Sequence, residues 1–163
     1  MLKIENLVYR YKNSDRDVLK KLNVNFEAGK VNAILGPSGS GKTTLLSIMA
    51  GLDRPTSGTI AINGSDLKDM DLDRYRRESI SIIFQAFHLF PLLTAVENVC
   101  YPMEANGVDK KDAVERAKSL LNSVGITDEK HKRYPSNLSG GEQQRVAIAR
   151  ALSTGAKVIL ADE

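Results

Sequence analysis

The chain has 163 residues, 42% of them hydrophobic and 26% charged, which supplies enough apolar material for one ordinary globular core and too much for a disordered segment. Its 23 Lys and Arg exceed its 20 Asp and Glu only slightly, and the basic residues are scattered, so composition gives little support to a nucleic-acid or membrane-surface role. The single cysteine, Cys100, excludes an internal disulfide and suggests a reducing compartment, while His88 and His131 cannot build a zinc site with it at any usual spacing.

The amino end, "MLKIENLVYRYK", is charged from residue 3 and lacks the apolar block of a signal peptide, so a cytoplasmic location is expected. The loose alternation of "KIENLVYRY" and "LNVNFEAG" predicts strands of a small, partly solvated sheet. Val31–Leu35, "VNAIL", reads as a short apolar strand ending at a glycine-rich turn, and "GKTTLLSIMAGL", from Gly41 to Leu52, as a helix. A further strand is expected at "TIAING", then a polar segment around Asp71 to Glu78, then the apolar run "SISIIF". Ser79 to Val96 carries no charge over a length near that of a membrane span, but its Ser, Gln and His and a central Pro91 argue against insertion. It is expected to be a buried strand followed by an apolar surface loop. Helical spacing dominates residues 94–125, with Ala113, Ala117, Leu120, Leu121 and Val124 on one face. Ser139 can cap a third helix that ends at Gly155, and a last strand, Val158 to Ala161, delivers Asp162 and Glu163. Strands and helices thus alternate around a helical insertion, the pattern of an α/β domain with a mostly parallel sheet.

"GPSGSGKT", Gly36 to Thr43, fits the P-loop template and lies at the strand-to-helix junction that the template requires. Glycines 36, 39 and 41 let backbone N–H groups converge on phosphate oxygens, and the following helix adds its positive end. Lys42 would reach the β and γ phosphates and the Thr43 hydroxyl would ligate Mg²⁺. "VILAD" supplies the second apolar strand whose terminal Asp162 holds the metal in such proteins, and Glu163 is placed to polarise a water. "LSGGEQQR", Leu138 to Arg145, adds Ser139 and two glycines at another helix amino end, a second anion site that one nucleotide on one chain does not need.

In these motifs and their order, the chain resembles the ATP-binding subunits of ABC transporters over its whole length. "GPSGSGKT" looks like their Walker A loop, "LSGGE" like their signature and "VILADE" like their Walker B strand. The resemblance implies a P-loop NTPase, RecA-like core with an N-terminal antiparallel β subdomain and an inserted α-helical subdomain. It implies one ATP-binding domain over residues 1–163, with a β and P-loop part (1–85), a helical insertion carrying the signature (86–150) and a Walker B part (151–163). ATP and Mg²⁺ are the implied cofactors. Tyr11 would stack on adenine; Gly36, Pro37, Ser38, Gly39, Ser40, Gly41, Lys42, Thr43 and Thr44 would hold the phosphates. Ser139, Gly140, Gly141 and Glu142 would close over the γ-phosphate of a second, head-to-tail subunit, homo- or heterodimeric. Thr43, Gln85 and Asp162 are the implied metal contacts, and Glu163, Gln85 and Lys42 the implied catalytic groups.

The same resemblance implies an ATPase that energises transport from the cytoplasmic face of a bacterial membrane. The permease would dock near Gln85 to Val96, where Phe87, Leu89, Phe90 and Leu92 would face it, and no nucleic acid is expected. The wording is similar to exporters of the lipoprotein-release, macrolide-efflux and antimicrobial-peptide-resistance group. A DNA-associated ABC ATPase and a non-hydrolysing nucleotide-binding module are the alternatives, and the short interval between Thr43 and Leu138 shows no heptad run. The family's D-loop, a further core strand and a switch histidine do not appear. The chain is therefore expected to be a fragment whose isolated polypeptide is poorly stable and hydrolyses ATP slowly or not at all.

Overall fold

In a computed structural model, which describes residues 1–162, the N-terminal alternation becomes an antiparallel ladder. Strand β1, Leu2–Tyr9, pairs with β2, Leu19–Phe26, on one edge and with β3, Ser57–Ile62, on the other; β4, Ser65–Asp66, follows β3. Leu2, Ile4 and Leu7 of β1 and Ile60 and Ile62 of β3 point inward and are buried. The β1–β2 register shifts between Ile4 and Leu7, where Asn6 adopts φ 49°. Helix α1, Lys42–Met49, buries Leu45, Leu46, Ile48 and Met49. The polar segment after Met70 forms a short helix, α2, Leu72–Glu78. Asp71 starts it by accepting the Asp73 and Arg74 N–H groups on its carboxylate, and the buried Tyr75 hydroxyl donates to the Met49 carbonyl at 2.8 Å.

One expected strand is absent. Val31–Leu35 has no regular structure, and Val31 and Leu35 are 103% and 90% exposed. An apolar run becomes a strand only where a neighbouring ladder takes up its N–H and C=O groups, and no described strand pairs with this one.

These elements, with α2 as far as Arg76, form a first compact unit, Met1–Arg76; a second begins at Arg77. In the second unit β5, Ile80–Ile83, pairs in parallel with β6, Val158–Ala161, and this pair is the parallel part of the described fold. Helices α3, Ala95–Ala105, α4, Lys110–Ser123, and α5, Gly140–Ser153, pack together. Val99 and Met103 meet Ala113, Ala117 and Leu121, with Val146 and Ala149 of α5 and the intervening Ile126 and Leu138 closing the cluster. The alanines let the helices approach closely while Leu121 fills the space between them. Truncating so buried a leucine costs about 2–5 kcal/mol. Thr94 and Glu97 cap α3 reciprocally, and the carbonyls of His131 and Arg133 accept the Val96 and Ala95 N–H groups.

Candidate nucleotide site

The Gly36–Thr43 loop is built by close contacts that only small residues permit. A Cβ on Gly36 would stand 2.6 Å from the Ser40 hydroxyl oxygen. Gly41 has φ 94°, and a Cβ there would press on Val18 and Leu19 at 3.0 and 3.1 Å. Ser40 N–H closes the turn onto the Pro37 carbonyl at 3.2 Å. Ser38, Gly39 and Thr43 are exposed.

Gly41 is also the N-cap of α1, and its lack of a side chain has an electrostatic consequence. No side chain caps the helix and no acidic residue lies in its first turn, so the first N–H groups keep their positive field unanswered. Helices α3, α4 and α5, by contrast, are capped by Thr94, Asp109 and Ser139. Lys42 donates from Nζ to the carbonyls of Gly36 at 2.8 Å and Pro37 at 3.0 Å, so its ammonium is already drawn over the loop. A phosphate oxygen would replace those neutral acceptors with stronger, charge-assisted ones.

Tyr11 reaches the same helix: its hydroxyl lies 2.9 Å from the Thr44 hydroxyl, and its half-exposed ring meets the Tyr9 ring edge-on at 5.0 Å. The structure therefore brings Tyr11, Lys42, Thr43 and Thr44 together around the amino end of α1. These groups fit a nucleotide triphosphate on charge, on backbone donors and on an aromatic face.

In the second unit, Asp162 and Gln85 leave neighbouring parallel strands at their carboxyl ends. Ile83 pairs with Ala161, and Asp162 N–H extends the ladder by donating to the Ile83 carbonyl at 2.9 Å. Ligand-binding groups of parallel α/β sheets gather at this end of the strands. Glu163 lies outside the described residues.

Ser139 starts α5. Glu142 N–H donates to the Ser139 hydroxyl at 3.3 Å, while Ser139 N–H donates to the Glu142 carboxylate at 2.7 Å. The Ser139 hydroxyl faces the Glu142 carboxylate, and Gly140 and Gly141 have no upstream carbonyl within the helix. Neither glycine needs to be one for local reasons. A Cβ on Gly140 would meet nothing within 4 Å, and one on Gly141 only the tip of Arg145 at 3.7 Å. Two glycines in a first turn are unfavourable by roughly 1 kcal/mol each unless something must approach that surface closely.

Three supporting residues escaped the sequence reading. Lys130 sits 2.9 Å from the second Glu142 oxygen. Together with the Ser139 N–H and hydroxyl, its ammonium holds the Glu142 carboxyl down to about 2. Gln143 ties the loop before α5 by donating to the carbonyls of Pro135 and Leu138 at 3.0 and 3.1 Å. Arg150 donates from α5 to the carbonyls of Phe87 and His88, just beyond Gln85. The signal for Arg150 was there to read, a guanidinium interrupting the small, buried face "VAIARALS".

The apolar segment after Gln85 divides. Leu92 and Phe90 are 85% and 41% exposed, whereas Phe87 is half-buried and Leu89 packs on the helical core. No helix among the described residues is long and apolar enough to cross a membrane.

Comparison with known proteins gives the family. The family description "ABC transporter" matches residues 19–163. The uncharacterized ABC transporter ATP-binding protein YvrO of Bacillus subtilis is 48% identical over the whole chain, which spans 73% of that protein. The lipoprotein-releasing system ATP-binding protein LolD of Bacteroides thetaiotaomicron is 46% identical, again over the whole chain and 75% of the relative. Among solved structures, a dimeric ATP-binding cassette in a post-hydrolysis state with ADP and Pi superposes with a TM-score of 0.92 at 40% identity, covering all of this chain and 74% of that one. The chain belongs to the ATP-binding proteins of the ABC transporter family.

Proposed function

We propose that the chain binds Mg·ATP on the Gly36–Thr44 loop and hydrolyses it to drive a membrane transporter, as a dimer in which each copy completes the other's site. The observation that carries this reading is the presence in one chain of two helix amino ends suited to an anion. The end of α1 is uncapped and drawn under an ammonium, and that of α5 presents Ser139 and two sterically unnecessary glycines to whatever approaches. Tyr11 would take the adenine, Lys42 and the loop amides the phosphates, and Ser139 with Gly140 and Gly141 the terminal phosphate on a second copy. Glu142 holds Ser139 in place for that contact. Thr43, Gln85 and Asp162 would hold Mg²⁺, whose charge neutralises phosphate oxygens. Glu163 would take a proton from the attacking water.

The similarity to a lipoprotein-releasing protein and the exposed Leu92 and Phe90 support an export system and a permease docked near residues 85–96, at the inner face of the membrane. A DNA-associated role has no counterpart here. The interval from Thr43 to Leu138 is occupied by β3 to β5 and α2 to α4, without a long coiled coil among the described residues.

Glu163→Gln in the native gene product tests the assignment. ATP binding should persist and the dimer should become longer-lived, while steady-state hydrolysis should fall by about a hundredfold or more. Hydrolysis at the unmodified rate would remove Glu163 from the chemistry.

A further inference from the structure

The turn that follows Gln85 carries backbone strain that its own sequence does not relieve. Phe87 and His88 are consecutive non-glycine residues with φ 58° and 46°. Positive φ is unfavourable for a residue that carries a Cβ. The His88 N–H folds back onto the Ala86 carbonyl at 2.6 Å, a three-residue turn with Phe87 at its centre. Such a turn persists only when its surroundings impose it.

Arg150 imposes it. One guanidinium nitrogen donates to the His88 carbonyl at 2.7 Å and the other to the Phe87 carbonyl at 2.8 Å, so the planar fork bridges the carbonyls of the two positive-φ residues. The guanidinium also lies 5.8 Å from the centre of the Phe90 ring. The far side of the loop is fixed by the fully buried Asn98, whose side chain accepts the Phe90 N–H at 2.8 Å and donates to the Phe90, Leu93 and Thr94 carbonyls. Arg150 belongs to α5, the helix that begins at Ser139, and the loop it grips begins at Gln85. Arg150 therefore links the helix that begins at Ser139 to the loop that begins at Gln85.

We propose that Arg150 is a positioning residue, which holds the strained Phe87–His88 turn and thereby ties the placement of Gln85 to the helix that carries Ser139. This rests on the ATPase reading above, but its test separates the two. In the native gene product with its membrane partner, Arg150→Met should lower kcat for ATP by about tenfold or more and leave KM within about twofold, because the Gly36–Thr44 loop is untouched. Adding His88→Gly to that variant should recover part of the loss, since glycine takes a positive φ without the clamp. Arg150→Lys keeps the charge and loses the fork; it should fall between the two and serves if the Met variant does not fold. Amide hydrogen exchange at residues 86–89 should quicken in both Arg150 variants.

An unchanged kcat in Arg150→Met, or no recovery on adding His88→Gly, would overturn the proposal. If the unmodified protein does not hydrolyse ATP, the functional reading fails instead. The exchange rates at residues 86–89 then decide the clamp alone: faster exchange upholds it and unchanged exchange removes it.

Discussion

Ser139 and Glu142 each satisfy the other's backbone N–H, and Lys130 grips the Glu142 oxygen that Ser139 leaves open. The first turn of α5 is thus fixed from three sides before any phosphate arrives, which favours binding by lowering the ordering still to be done. Its weakness is acid. The Glu142 carboxyl is held at about 2 against an ordinary 4.5, chiefly by Lys130 and then by the Ser139 backbone and hydroxyl. A group with a lowered folded value adds stability above its unfolded value and loses it as pH falls through the folded one. Stability should therefore decline between about pH 4.5 and 2 from this group. Lys130→Met should make the decline shallower and start it from a lower plateau, as read by urea unfolding across that range. An identical pH profile in the variant would show that Lys130 does not hold Glu142.

Lys42 offers a cleaner separation of binding from folding. Its two present acceptors are exposed backbone carbonyls, so Lys42→Ala should alter unfolding free energy by less than about 0.5 kcal/mol. Losing a charge-assisted contact to phosphate, worth about 1.5–3 kcal/mol, should weaken Mg·ATP binding by roughly 10- to 150-fold. Calorimetry on the variant checks both the direction and the size.

Tyr75 should show the reverse behaviour. It is almost wholly buried and donates to the Met49 carbonyl at the end of α1, and burial raises its phenol above the ordinary range. Tyr75→Phe leaves that carbonyl without its side-chain donor and should cost about 1–3 kcal/mol in denaturant unfolding. The saturating ATPase rate of the folded fraction should stay within about twofold, because the hydroxyl faces away from the Gly36–Gly41 turn toward the other end of α1.

Periodicity and turn chemistry made most of the second unit legible in the sequence. The spacing of Ala113, Ala117 and Leu121 predicts the buried face of α4, and Ser139 marks the start of α5 that the structure has. Val31–Leu35 shows the limit of such reading. Apolar spacing reports which side chains seek burial, but a strand also needs a partner for its backbone, and no local pattern supplies that. α2 was read only as polar because its helix depends on the Asp71 cap and on Tyr75 reaching Met49, one local contact and one distant. The phosphate loop was legible because its template is contiguous in the sequence, although Gly41 is crowded by Val18 and Leu19 from outside it. Lys130 was not, nor were the carbonyls that Arg150 grips, since only the fold brings each pair together.

The claim on which the rest depends is that Ser139 of one copy closes over the phosphates held at Gly36–Thr44 of another. It is tested most directly by placing cysteines at Ser38 and Ser139 of the native gene product in the Glu163→Gln background, in which Cys100 is buried. With Mg·ATP, oxidation should join the two positions between molecules, and omitting the nucleotide should reduce the yield by tenfold or more. Equal crosslinking with and without Mg·ATP, or none at all while ATP binds normally, would contradict the account.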